Sequence, residues 1–247
     1  MKNELTHLDL FSGIGGFALA AQRAGFRTIC FSEVEPSACE WLQGNFPGVP
    51  NLGDIRKPNA FHGIRGVTVL TGGFPCQPFS NSGRKLGKND PRHLWPAMLG
   101  VINEVRPSWV IGENVPTLES LGGLDEVCGD LEAIGYAAQP FNIPAFVAGA
   151  PFIGDRLWIL AAPTCYGLQG SRECIEPINC ETGAFGEADT FIDAFQRHAV
   201  PFVCRRHDGV SRNVAQAALH GYGNAIVPQV VEPFFHWIRQ IEQGEIK

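Results

Sequence analysis

The sequence predicts a doubly wound α/β fold built on a mostly parallel sheet. Three observations carry that expectation. Apolar runs alternate with helical patterns along the first two thirds of the chain, turn residues separate them, and polar or reactive residues recur where the apolar runs end. A β-α-β-α order of this kind implies parallel strands with helices on both faces. At 247 residues there is room for one large α/β domain, or one domain with a small appendage.

The elements follow from periodicity and punctuation. Leu5 to Phe11 reads as a first strand and Gly16 to Ala24 as an Ala-rich helix. Thr28 to Ser32 is a second strand, and Pro36 to Asn45 a helix with proline in its first turn. A weaker strand is expected near Val49 to Leu52, a fourth at Val67 to Thr71, and a helix from Pro91 to Val105. Trp109 to Gly112 is a fifth strand, followed by a helical region around Leu124 to Ile134. Tyr136 to Ile143 and Arg156 to Ala161 close the series as strands. From Pro163 to about Val200 the periodicity fades, as in a loop-rich insert, and Ala215 to Leu219 and Val227 to Ile241 read as helical.

Composition narrows the function classes. Hydrophobic residues make up 45% and charged residues 18%, which supports a sizeable core and argues against bulk disorder. No apolar run approaches the roughly 18 residues of a membrane helix. Met1 to Leu5 leads straight into a strand without a secretory pattern. Eight cysteines are scattered without a C-x-x-C pair, as in a cytoplasmic protein with reduced thiols. Cys165, Cys174, Cys180 and Cys204 with His207 fit no common zinc spacing, so no metal is expected. The net charge of −6 does not advertise a nucleic-acid binder. Charge is local, however: Arg84, Lys85, Lys88 and Arg92 stand against Asp90, and Arg205, Arg206, His207 and Arg212 surround Asp208. Each cluster reads either as solvated surface or as a phosphate-neutralising patch.

The loop Asp9-Leu10-Phe11-Ser12-Gly13-Ile14-Gly15-Gly16-Phe17-Ala18 joins the first strand to the first helix. Its glycines allow a tight turn and close approach of a ligand to the backbone. Gly13-x-Gly15-x-x-Ala18 satisfies a loose Rossmann-like dinucleotide pattern, and Glu33 ends the second strand, where an acid can take ribose hydroxyls. This points to an adenosine-bearing cofactor; NAD and S-adenosylmethionine (SAM) both qualify. Gly53-Asp54-Ile55 and Gly112-Glu113-Asn114 stand at further strand ends, so Asp9, Glu33, Asp54, Cys76 and Glu113 are expected to converge on one crevice. Cys76 lies between two prolines, in Gly72-Gly73-Phe74-Pro75-Cys76-Gln77-Pro78-Phe79-Ser80. Most free cysteines are small buried hydrophobes, but a thiol on a proline-stiffened loop after a strand is placed like a nucleophile.

Taken together, four segments resemble the DNA cytosine-5 methyltransferase family. They are Asp9 to Phe17, Gly73 to Ser80, Glu113-Asn114-Val115 and Gly223-Asn224-Ala225-Ile226-Val227-Pro228-Gln229, in the family's order and over nearly the whole chain. The resemblance implies the class I SAM-dependent methyltransferase fold with a small target-recognition lobe. It divides the chain into a catalytic SAM-binding domain at 1–162, a short recognition region at 163–204 and a returning C-terminal segment at 205–247. It implies SAM as cofactor, with Phe11 packed on adenine, Gly13, Gly15 and Gly16 beside the methionine part, and Glu33 on the ribose. Asp54 would take the adenine amino group, Val34 and Ile55 would line the ring, and Asn224 would help close the pocket. Cys76, Glu113 and Arg156 become the catalytic residues, Arg156 contacting the cytosine O2. Gln77, Ser80, Arg84, Lys85, Arg92 and Asn114 become contacts to the substrate or the DNA.

The implied reaction is methylation of C5 of cytosine in double-stranded DNA, on a flipped-out base. The family usually enters its late strand with Gln-x-Arg-x-Arg; here the run is Phe152-Ile153-Gly154-Asp155-Arg156, and the last arginine alone remains. The resemblance points to a compact bacterial or phage-like member, working in the bacterial cytoplasm or an infected host cell. Such a member would be an orphan enzyme or the protective half of a restriction–modification system, with a cognate restriction endonuclease as a candidate partner. One active site per chain needs no second copy, which points to a monomer. Two alternatives stay open: methylation of tRNA, suggested by the small recognition region, and a catalytically impaired DNA-binding relative, suggested by the altered Phe152 to Arg156 run.

Overall fold

The computed structural model describes residues 4–57, 59–75, 93–145, 155–166 and 226–246. Six strands form one sheet: β1 (Thr6–Leu10), β2 (Arg27–Ser32), β3 (Val69–Gly73), β4 (Trp109–Asn114), β5 (Tyr136–Pro144) and β6 (Asp155–Pro163), in the order β2-β1-β3-β4-β6-β5. The first four run parallel, while β6 is antiparallel to both β4 and β5. The described helices are α1 (Gly16–Arg23), α2 (Pro36–Asn45), α3 (Trp95–Val105), α4 (Thr117–Ser120), α5 (Gly123–Ala133) and α6 (Pro228–Glu242).

Successive strand residues enter opposite cores, as the two-residue period of a strand requires. Leu8, Leu10, Leu70, Val110, Leu157 and Ile159 pack with α3 and α5. Val69, Trp109, Ile111, Trp158 and Leu160 pack with α1 and α6. Burial on both faces explains why these strands read as nearly continuous apolar runs. Helix α6 docks Val230, Val231, Phe234, Phe235 and Ile238 on the second face, and its Phe234 stacks on Trp158 with centroids 6.0 Å apart.

Two expectations need correction. The weak strand near Val49 to Leu52 is a single bridge, Phe31 to Asn51. Phe31 N–H donates to the Pro50 carbonyl and Leu52 N–H to the Phe31 carbonyl, but Pro50 has no N–H to extend the ladder. Gly48 and Gly53, both at positive φ, turn the chain away on either side. The helix expected from Pro91 starts at Trp95, with Pro96 in its first turn, where a missing N–H costs nothing. Pro91 and Arg92 themselves, most of the recognition region and the Ala215 to Leu219 helix lie outside the described residues.

Candidate active site

The glycine loop closes tightly over the end of β1. The Ser12 hydroxyl donates to the Asp9 carbonyl at 2.8 Å, and Gly15 N–H donates to the Ser12 carbonyl at 2.8 Å. Its glycines serve different ends. A side chain at Gly13 would meet nothing within 4 Å, so the loop is open to a ligand there. A Cβ at Gly15 would stand 2.6 Å from the Phe46 ring, and one at Gly16 2.6 Å from the Ile226 carbonyl. Those two glycines let α2 and the segment entering α6 close on the loop.

Glu33 ties this loop to the end of β2. Its carboxylate accepts Gly13 N–H at 2.7 Å, and Val34 and Glu35 N–H at 2.7 and 2.8 Å. Asn51, a residue the sequence reading missed, completes the corner. Its Oδ1 accepts Glu33 N–H and Gly53 N–H, both at 3.0 Å, and its amide donates to the Glu33 carbonyl at 3.1 Å. Asp54 follows directly, both oxygens engaged by the Arg56 guanidinium at 2.9 and 2.6 Å, which holds its carboxyl down at about 2. Ile55 is buried in the cluster against which Phe11 packs, while Val34 is 63% exposed beside them in sequence to Glu33. Phe11, Gly13, Glu33, Val34, Asp54 and Ile55 thus gather where β1 and β2 end.

Asp9 departs from the expected crevice. It is fully buried, turned into the sheet–helix interior, and accepts the Thr71 hydroxyl at 2.8 Å. Thr71 gives its one hydrogen to Asp9, so the His7 Nε2 at 2.9 Å must be the donor to Thr71, and Nδ1 accepts from Thr28 at 3.0 Å. Burial keeps His7 neutral, its pKa lowered to about 3, and pushes the Asp9 carboxyl well up.

At the ends of β3 and β4 a second group assembles. Gly73 pairs in register with Glu113, and a Cβ at Gly73 would lie 3.1 Å from Glu113 Oε2. Glu113 in turn pairs with Trp158 of β6, and Arg156, two residues away, shares that face of the strand. Arg156 Nε stands 2.9 Å from Glu113 Oε1. Burial pushes the Glu113 carboxyl up to about 7 against the opposing pull of Arg156. Asn114, expected at the substrate, is 2% exposed and bonds within the protein: its amide donates to the Phe74 carbonyl at 3.0 Å. Cys76, Gln77, Ser80, Arg84, Lys85, Arg92, Asn224 and the altered Phe152 and Gly154 lie outside the described residues.

A doubly wound sheet with a glycine loop after β1, an acid ending β2 and an antiparallel β6 defines the class I SAM-dependent methyltransferase fold. The family model for C-5 cytosine-specific DNA methylase matches residues 5–174, and the chain belongs to that family. Among curated relatives, the Type II methyltransferase M.NgoMIV of Neisseria gonorrhoeae is 41% identical over 113 residues, covering 45% of this chain and 36% of that protein. Type II methyltransferase M.PspPI of Psychrobacter sp. (strain TA137) is 40% identical over 163 residues, covering 64% of this chain and 39% of that protein. The chain therefore spans less than half the length of these relatives. The solved structure of Entamoeba histolytica methyltransferase EhMeth shares the fold, with a TM-score of 0.62 at 15% identity over 97% of this chain and 99% of that one. Among the described residues no helix is long and apolar enough to cross a membrane.

Proposed function

We propose that this chain methylates C5 of cytosine in double-stranded DNA, using SAM. The observation that carries the reading is the half-buried Glu113–Arg156 pair, set in register beside the Gly73-Phe74-Pro75 segment that leads into Cys76. The residues at the β1 and β2 ends suit the cofactor. The Gly13 loop is open to a ligand, Glu33 supplies an acceptor, Val34 presents an exposed apolar side chain, and Phe11 offers apolar surface to a ring, with Ile55 buried in the cluster on which Phe11 packs. Asp54, held ionised by Arg56, is an acceptor for an exocyclic amino group. Gly15 and Gly16 support this loop from behind, and Asn224 is assigned to the pocket by the family motif alone. When bound, SAM supplies an electrophilic methyl group.

The chain's own residues then have to make a poor nucleophile, cytosine C5, reactive. Cys76 as thiolate adds to C6 and raises electron density at C5. Glu113 holds a proton toward ring N3, where the charge pushed into the ring collects, and Arg156 fixes the carboxyl and faces the cytosine O2. Once C5 carries the methyl group, loss of its remaining proton to water re-forms the ring double bond and expels Cys76 as thiolate. The base has to leave the stack for these groups to reach it. Arg84, Lys85 and Arg92, with Gln77 and Ser80, follow Cys76 closely enough in sequence to meet the flipped nucleotide and its backbone. The likeness to Type II methyltransferases supports a restriction–modification setting with a cognate endonuclease, in a bacterial cytoplasm.

Cys76→Ala is expected to abolish methyl transfer while SAM binding stays intact. A duplex carrying 5-fluorocytosine should be captured covalently by the unaltered chain with SAM, and not by the variant. Methyl transfer by Cys76→Ala at the unaltered rate would overturn the mechanism.

A further inference from the structure

Strand β2 meets the returning chain at one bridge, Phe31 to Asn51, with Leu52 N–H donating to the Phe31 carbonyl. In a continuing parallel ladder the next rung would take Glu33 N–H to the Leu52 carbonyl. The side chain of Asn51 supplies that rung instead. Its Oδ1 accepts Glu33 N–H at 3.0 Å, and its Nδ2 donates to the Glu33 carbonyl at 3.1 Å. An N–H needs an acceptor and a carbonyl a donor, so both bonds fix the same orientation of the amide. The same Oδ1 also accepts Gly53 N–H at 3.0 Å, and Nδ2 lies 3.1 Å from the Cys39 sulfur. The Ser32 hydroxyl, donating to the Gly53 carbonyl at 2.7 Å, ties the same turn to the end of β2.

We infer that Asn51 is a positioning residue for the cofactor site proposed above, on which this inference rests: one side-chain amide sets the ribose acceptor Glu33 and the adenine acceptor Asp54 at a fixed separation. Glu33 N–H and Gly53 N–H converge on a single oxygen, and Asp54 follows Gly53 directly. Gly53 stands at φ +77°, a conformation that glycine leaves as readily as it enters, so the turn carrying Asp54 needs an anchor. At Glu33 the carboxylate accepts three backbone N–H groups, from Gly13, Val34 and Glu35, out of about four acceptor positions. What is left for a hydroxyl points where the Glu33 backbone directs it, and that backbone is what Asn51 holds. Asn51 is exposed, but both ends of its amide are engaged by the protein, so it acts through Glu33 and Gly53 and not on the ligand.

The test compares Asn51→Ala, Asn51→Asp, Glu33→Ala and the double variant of Asn51→Ala with Glu33→Ala against the unaltered chain. Asn51→Asp keeps both accepted N–H bonds but turns an oxygen toward the Glu33 carbonyl. Kd for SAM by calorimetric titration, KM for SAM, kcat at saturating SAM and the thermal midpoint are measured together. Both Asn51 variants are expected to raise Kd and KM for SAM about tenfold, the effect of one or two lost hydrogen bonds. At saturating SAM, kcat should be nearly unchanged. In the double variant the rise in Kd should fall short of the product of the two single rises, because the residues act as a unit. An unchanged Kd with a lowered midpoint would make Asn51 a contact of the fold alone and overturn the inference. So would a fully multiplicative effect in the double variant, a loss confined to kcat, or the failure of both Asn51 variants to fold. If the unaltered chain binds no SAM, the parent reading fails and takes this inference with it. If it binds SAM and the Asn51 variants bind it equally well, the inference alone fails.

Discussion

At Glu113, burial and an ion pair act in opposite directions on one carboxyl. Burial wins, moving it from the ordinary value of 4.5 to about 7 although Arg156 Nε lies 2.9 Å away. The folded protein therefore takes up a proton that the unfolded chain has released between these two values. The stability this group contributes is complete below about pH 4.5 and is lost as pH rises through about 7, a change of order 3 kcal/mol. The same sign governs the proposed chemistry, in which the protonated carboxyl is the active form. The rate at low substrate is expected to fall as pH rises above about 7. Glu113→Gln keeps the size but cannot deliver a proton to ring N3. It should lower the rate about 10²- to 10³-fold and remove that descending limb. A limb that persists in the variant would assign it to another group.

Between elements, the glycine loop has to satisfy a ligand on one side and two packed segments on the other. Gly16→Ala would drive a methyl into the Ile226 carbonyl, a backbone atom that cannot swing away. It should lower the thermal midpoint by loosening the entry of α6. Gly13→Ala meets no neighbour, but at φ +52° it carries roughly 1–2 kcal/mol of left-handed strain. It should weaken SAM affinity more than it lowers the midpoint. Calorimetric titration and thermal melts of both variants check the contrast; equal effects on both readouts would contradict it. The elements themselves were largely legible in the sequence, because strands buried on both faces leave unbroken apolar runs. Three things were not. Pro50 reduced an expected strand to one bridge, four residues at Thr117–Ser120 are too short for a helical period to register, and periodicity says nothing of the direction of β6. In the site, the acids at strand ends, Glu33 and Glu113, could be read directly. Thr71 and His7 could not, because they pair buried polar groups across strands, which register alone reveals; nor could Asn51, an exposed side chain that ties Glu33 to Gly53 through its amide. Asp9 was misplaced for a related reason: sequence gives the alternation of faces but not which face meets the crevice.

Across the whole molecule, one sheet separates two apolar cores and gathers the candidate cofactor and reaction groups at the ends of β1, β2, β3 and β4 and the start of β6. The cofactor group sits at β1 and β2 and the Glu113–Arg156 pair at β4 and β6, with β3 leading to Cys76 between them. That order is what a transfer from a bound nucleoside to a neighbouring base requires. The claim is tested most directly by incubating the purified chain with tritiated SAM and unmethylated genomic DNA, then mapping methylated cytosines by bisulfite sequencing. The account predicts label at C5 of cytosines in one short sequence context. SAM binding without label on DNA, or label on tRNA in place of duplex DNA, would contradict it.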